Sequence, residues 1–201
     1  MTIKEVSELK RFIIRGRSVF ALVLLTVSLE ALPAGAQLAR PEEVVRITPA
    51  LPKSGFTPGE TFQAALIIDI LEGYHLNVHN VKDPNLLRTE LEIPAGGTVS
   101  WPFIRYPEDQ AAPGVEVPGL VGEQYVGRIV LRLVGRLPKE AVPGLLKVKM
   151  RVYFQACTDL VCLVPYTNQF ELEIPVVAPG TAVKTLHPEI FGQEKVPPGR
   201  R

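Results

Sequence analysis

The chain has 201 residues but only two cysteines, two methionines, one tryptophan and three histidines. Two cysteines do not make a disulfide scaffold, and a zinc site needs three or four ligands. Positive charge is not in excess: 22 lysines and arginines stand against 21 acidic residues. Residues 1–36 hold five of those basic and three of those acidic side chains, so the remainder is close to neutral. Without a basic stripe or a block of like charge, nucleic acid is not an expected partner. No window keeps a 3.6-residue apolar period over three turns, which excludes a helical bundle. Beyond the N-terminus, charges and prolines break every apolar run before it reaches the roughly 20 residues of a membrane span.

What is present begins with the leader. Lys10, Arg11, Arg15 and Arg17 form a basic front, Val19 to Leu29 is uncharged and mostly apolar, and Ala34-Gly35-Ala36 supplies small residues. That layout is a secretory signal peptide over residues 1–36, with the mature chain starting near Gln37. An uncleaved anchor is the alternative. Export places the cysteines in an oxidising compartment, the periplasm or another extracytoplasmic space.

Period-two patterns fill the rest. Phe62, Ala64, Leu66, Ile68 and Ile70 alternate, as do Ile129, Leu131 and Leu133. The clearest alternation sets Leu146, Val148, Met150, Val152 and Phe154 against Lys147, Lys149, Arg151 and Tyr153. Phe170, Leu172 and Ile174 close the series. Shorter strands are expected at Val44–Ile47, after Gly73, around Leu91 and Ile93, and through Val99, Trp101 and Phe103, where Pro102 marks an edge or a bulge. Residues 105–122 read as a long irregular loop of the kind that covers a site. Seven or eight short strands with proline-rich turns predict an all-β, immunoglobulin-like antiparallel β-sandwich over residues 37–177, with a partly open barrel as the rival. Residues 178–201 have little to bury and read as a flexible C-terminal tail.

The two cysteines sit in "YFQACTDLVCLVPYT", Tyr153 to Thr167. Cys157 follows the longest alternating strand and Cys162 precedes the next, so both lie near a hairpin tip. Three readings follow. A structural staple closing six residues stabilises by only about 2 kcal/mol. A copper site would recruit His75 and His79, four apart on a strand, with Met150 and the cysteines. Thiol–disulfide exchange needs an accessible sulfur, a resolving neighbour and room for a partner, and a hairpin tip offers all three. Apolar neighbours such as Leu160, Leu163 and Val164 raise a thiol pKa, and no lysine or arginine lies in the loop to lower it. Asp159, the one charge between the cysteines, either accepts a proton or simply solvates the tip. No cofactor and no resident metal are expected.

Gln155, Cys157, Asp159, Cys162 and Pro165 resemble the cysteine segment of the N-terminal periplasmic domain of the thiol:disulfide interchange protein DsbD family. "GYHLNVHNVKDPNLLRTELEIPAG", "IRYPE" and "GEQYVG" resemble further blocks of that family in the same order, over about residues 45–177. The intercysteine loop is four residues, where the best-known member has five. The resemblance implies an immunoglobulin-like sandwich whose paired cysteines, Cys157 and Cys162, take electrons from a membrane-embedded donor. They would pass them to exported thioredoxin-like or disulfide-isomerase proteins. It implies that Cys162 bonds to the partner and Cys157 resolves. It also implies an aromatic cap around Phe103 and Tyr106, and a pocket shaped by Tyr74, His75 and Tyr166. No membrane segments follow in the sequence, so a stand-alone exported domain is expected.

Overall fold

The computed structural model describes residues 39–107, 111–113 and 123–192. The signal-peptide segment and much of the 105–122 loop therefore lie outside the described residues.

Alternation becomes sheet wherever one face can be buried. β1 (Val45–Ala50), β2 (Thr61–Ile70), β5 (Ser100–Arg105) and β8 (Arg128–Arg136) form one sheet in the order β1-β2-β8-β5. β4 (Glu90–Glu92), β9 (Gly144–Phe154) and β11 (Tyr166–Val176) form a second, in the order β11-β9-β4. Among the described residues every pairing between these strands is antiparallel. The expected inward residues are inward: Leu66, Ile68, Ile129, Leu131 and Leu133 on the first sheet share one apolar core with Met150, Val152, Phe154, Leu172 and Ile174 on the second. Two faces meeting across one core make an immunoglobulin-like antiparallel β-sandwich. Among the described residues β1 and β5 each have a single partner strand, so the first sheet is open there rather than closed into the rival barrel.

A third sheet was not separately legible. It consists of β3 (His75–Asn77), β6 (Ala111–Pro113), β7 (Glu123–Tyr125) and β10 (Ala156–Cys157), in the order β10-β3-β7-β6. Its position follows from chain continuity. β2 and β9 run into β3 and β10, and β7 runs into β8, next to the Asp69–Arg128 pairing at the end of β2. Leu76, Tyr125 and Ala156 are fully buried and extend the sandwich core into this sheet. The stretch read as one irregular loop thus contains a strand, and that strand belongs to the sheet carrying Cys157.

Two expectations need correction. The alternation through Val99, Trp101 and Phe103 breaks, because the register shifts between Ser100 and Phe103. Pro102 sits in that bulge on an edge strand, and Phe103 turns outward, 54% exposed. Within the segment expected to be a loose tail, residues 184–190 are tied to the sandwich. Thr185 bridges to Lys53, the Lys184 N–H donates to Ser54 Oγ (2.9 Å), the Leu186 N–H donates to the Pro52 carbonyl (2.8 Å), and Arg132 donates to the Ile190 carbonyl (3.0 Å). These backbone bonds hold an exposed segment that buries little apolar surface, which is why hydrophobicity gave no sign of it. The segment ends in one short helix, α2 (Pro188–Phe191); its counterpart α1 (Pro41–Val44) precedes β1. Among the described residues no helix is long and apolar enough to cross a membrane.

Candidate functional site

The segment between β9 and β11 does not turn as a plain hairpin. The two long strands pair as far as Phe154 and Tyr166. Beyond Phe154 the chain leaves its sheet, and Ala156 and Cys157 pair instead with Leu76 and His75 of β3. Cys157 and Cys162 face each other in an antiparallel bridge and are joined by a disulfide, with Cα atoms 3.9 Å apart.

Side chains that bear no redox chemistry shape the loop. The Thr158 hydroxyl accepts from the N–H groups of Leu160 (3.3 Å) and Val161 (3.1 Å), while the Thr158 N–H donates to the Val161 carbonyl (2.8 Å). At the base, the Leu163 N–H donates to the Ala156 carbonyl (2.8 Å), and Gln155 Nε2 donates to the Leu163 carbonyl (3.0 Å). A threonine two and three residues ahead of the amides it caps is a turn signature, and it was the available signal for Thr158.

The two sulfurs have unequal surroundings. Cys157 is 5% exposed, whereas Cys162 is exposed. Around Cys162 the loop presents apolar side chains to solvent: Leu160 is 96% exposed and Val164 70%, with Val161 also exposed. Leu163 points the other way and is buried. Asp159 is exposed at the tip.

His75 is half-buried and is the register partner of Cys157. Burial lowers its pKa below the ordinary histidine value, and the negative charge of Asp159 opposes that shift. Four of the expected site residues, Cys157, Cys162, His75 and Asp159, therefore come together. Tyr166 begins β11 as the register partner of Phe154, its ring edge-on to Phe154 at 5.8 Å. Tyr74 precedes His75 and packs partly against the core.

The contacts of Phe103 and Tyr106 lie elsewhere. Phe103 is opposite Val134 on the first sheet. Tyr106 stacks on His79 with ring centroids 3.7 Å apart, and its hydroxyl accepts from the Leu91 N–H at 2.8 Å. Burial raises the Tyr106 pKa, so the phenol stays neutral. His79 Nδ1 lies 3.1 Å from the Thr89 carbonyl and donates to it. His75 and His79 consequently serve different neighbours, Met150 is fully buried, and the cysteines are bonded to each other. The copper ligand set considered above is not assembled, and no group of three metal-ligating side chains occurs among the described residues.

No family model matches the chain, and no curated protein matches its sequence. Among solved structures, the chain is similar to the reduced N-terminal domain of DsbD from Neisseria meningitidis, at 12% identity and TM-score 0.41, covering 74% of this chain and 94% of that one. It is similar to the N-terminal periplasmic domain of ScsB from Proteus mirabilis, at 12% identity and TM-score 0.46, covering 69% of this chain and about half (49%) of that one. A PapD-like domain of human CEP192 aligns at 11% identity and TM-score 0.35. Likeness this distant, shared with a domain of quite different name, assigns no activity.

Proposed function

We propose that this chain is an exported thiol:disulfide exchange domain in which Cys157 and Cys162 carry reducing equivalents between a membrane-embedded donor and exported thioredoxin-like or disulfide-isomerase proteins. It works in the periplasm or an equivalent extracytoplasmic space, after a signal peptide over residues 1–36. The observation that carries this reading is the asymmetry of the pair: one sulfur buried on a strand, the other exposed in a loop ringed by Leu160, Val161 and Val164. Exposed apolar side chains around a reactive atom suit a protein partner that docks and leaves.

In the reducing direction the Cys162 thiolate attacks a sulfur of the partner's disulfide and forms a mixed disulfide. The partner's first thiolate leaves and takes a proton from water. Cys157 then attacks Cys162 Sγ, the intermolecular bond breaks, and the partner's second sulfur departs with its electron pair. The partner is reduced by two electrons and the Cys157–Cys162 bond is restored. Loading from the donor is the reverse sequence. In this reading Tyr74 and Tyr166 shape the pocket and Asp159 lies at the loop tip between the cysteines. Phe103, which is exposed, and Tyr106 are the cap candidates.

Trapping tests the assignment. Reduced Cys157→Ala mixed with an oxidised thioredoxin-like protein is expected to accumulate an intermolecular disulfide through Cys162, while Cys162→Ala accumulates none and keeps its fold. Trapping by neither variant would return the pair to the role of a structural staple, and equal trapping by both would overturn the assignment of Cys162 as the attacking sulfur.

A further inference from the structure

We propose that His75 is the proton acceptor for Cys157 when Cys157 resolves a mixed disulfide held on Cys162. The inference rests on the exchange reading above and adds to it the residue that activates the buried sulfur.

The placement comes from strand register. Ala156 pairs with Leu76 and Cys157 with His75. Ala156 and Leu76 are fully buried and point into the core, so their neighbours Cys157 and His75 share the opposite face. Direct cross-strand partners carry Cβ atoms about 4.5–5.5 Å apart, within reach of an imidazole and a thiol.

The chemistry needs such a group. Cys157 is almost wholly buried, so little water reaches its sulfur to take up a proton. The thiol is a poor nucleophile until a base takes its proton. A half-buried histidine whose pKa is lowered stays neutral at pH 7 and has a nitrogen lone pair free for that proton. The imidazolium formed is then stabilised by Asp159 across the loop. Among the described residues, the elements paired with β3 bring these groups near His75. β10 offers only Cys157; β7 offers Gln124 and Tyr125, with Glu123 opposite Val78; and on the chain around β3, His79 is engaged by Tyr106 and Thr89.

Each step balances. The proton moves from Cys157 Sγ to an imidazole nitrogen. The Cys157 electron pair forms the bond to Cys162 Sγ, and the bond from Cys162 to the partner's sulfur breaks. The departing partner thiolate is protonated by the imidazolium or by water. In the loading direction His75 returns a proton to the Cys157 thiolate as the disulfide opens.

A two-stage chromogenic assay tests this. Reduced domain treated with one equivalent of an aromatic disulfide releases one chromophore when Cys162 is modified and a second when Cys157 resolves. The second rate in wild type is expected to rise with pH and level off, with its inflection below the ordinary histidine pKa. In His75→Gln it should fall about 100-fold at pH 7, within the usual range for a lost general base, and should keep climbing toward the thiol pKa. Asp159→Asn, altered only at an exposed tip, should move the wild-type inflection to lower pH. Superimposable wild-type and His75→Gln profiles, or an Asp159→Asn inflection that does not move, would overturn the role of His75. Absence of any second release in wild type would instead overturn the exchange reading itself.

Discussion

Reducing the disulfide removes one covalent bond and leaves its surroundings, and the structure sets how much stability should go with it. The cysteines are separated by 5 in sequence. Opening a closed loop of about six residues returns chain entropy worth about 2 kcal/mol to the unfolded state. Other contacts persist: the Ala156–Leu76 pairing, the Leu163 N–H to Ala156 bond, Gln155 on the Leu163 carbonyl and Thr158 over the tip. The sandwich core also lies outside the loop. For a domain near 150 residues, about 2 kcal/mol corresponds to a fall in Tm of roughly 4–8 °C. Thermal unfolding followed by far-ultraviolet circular dichroism, with and without a phosphine reductant, measures the difference. A fall above about 15 °C, or loss of the β spectrum on reduction at 25 °C, would refute the reasoning and mark the bond as a staple.

Three further predictions concern the frame around the site. Tyr106→Phe leaves the Leu91 N–H without its acceptor and should cost about 1–3 kcal/mol in urea unfolding; an unchanged midpoint would show that the bond holds nothing. Gly135→Ala places a Cβ 2.6 Å from Phe62 Cζ and 2.9 Å from Trp101 Cζ3, so overpacking should cost about 1–3 kcal/mol. Because folding lowers the His75 pKa, the unfolded chain binds the proton more readily. Stability from this residue is therefore full above the ordinary histidine value and declines as pH falls below it. The wild-type midpoint should fall relative to that of His75→Gln as pH drops below the ordinary histidine value, and a pH-independent difference would contradict the shift.

The large elements were legible because each buries one face only. Alternation at Phe62–Ile70, Ile129–Leu133 and Leu146–Phe154 identifies inward residues without reference to partners. Where partners decide, the sequence was silent. Three-residue strands such as Glu123–Tyr125 hold no measurable period, and β10 exists only because β3 offers it an edge. The tail at 184–186 is held by backbone bonds, which no side-chain pattern reports. The cysteine pair was visible, and so was its apolar setting. Which sulfur is buried was not, since that depends on the chain leaving one sheet for another at Gln155. For the same reason His75 could be named as a pocket residue but not as the partner of Cys157: their pairing spans distant parts of the chain.

The central claim, that the Cys157–Cys162 bond is made to be exchanged, is tested most directly by its equilibrium reduction potential against glutathione or thioredoxin, with the redox state read by alkylation. Exchange predicts a potential above about −300 mV, inside the range of proteins that pass thiols to one another. A value well below that limit would mean a bond that cellular thiols cannot open, and would contradict the account.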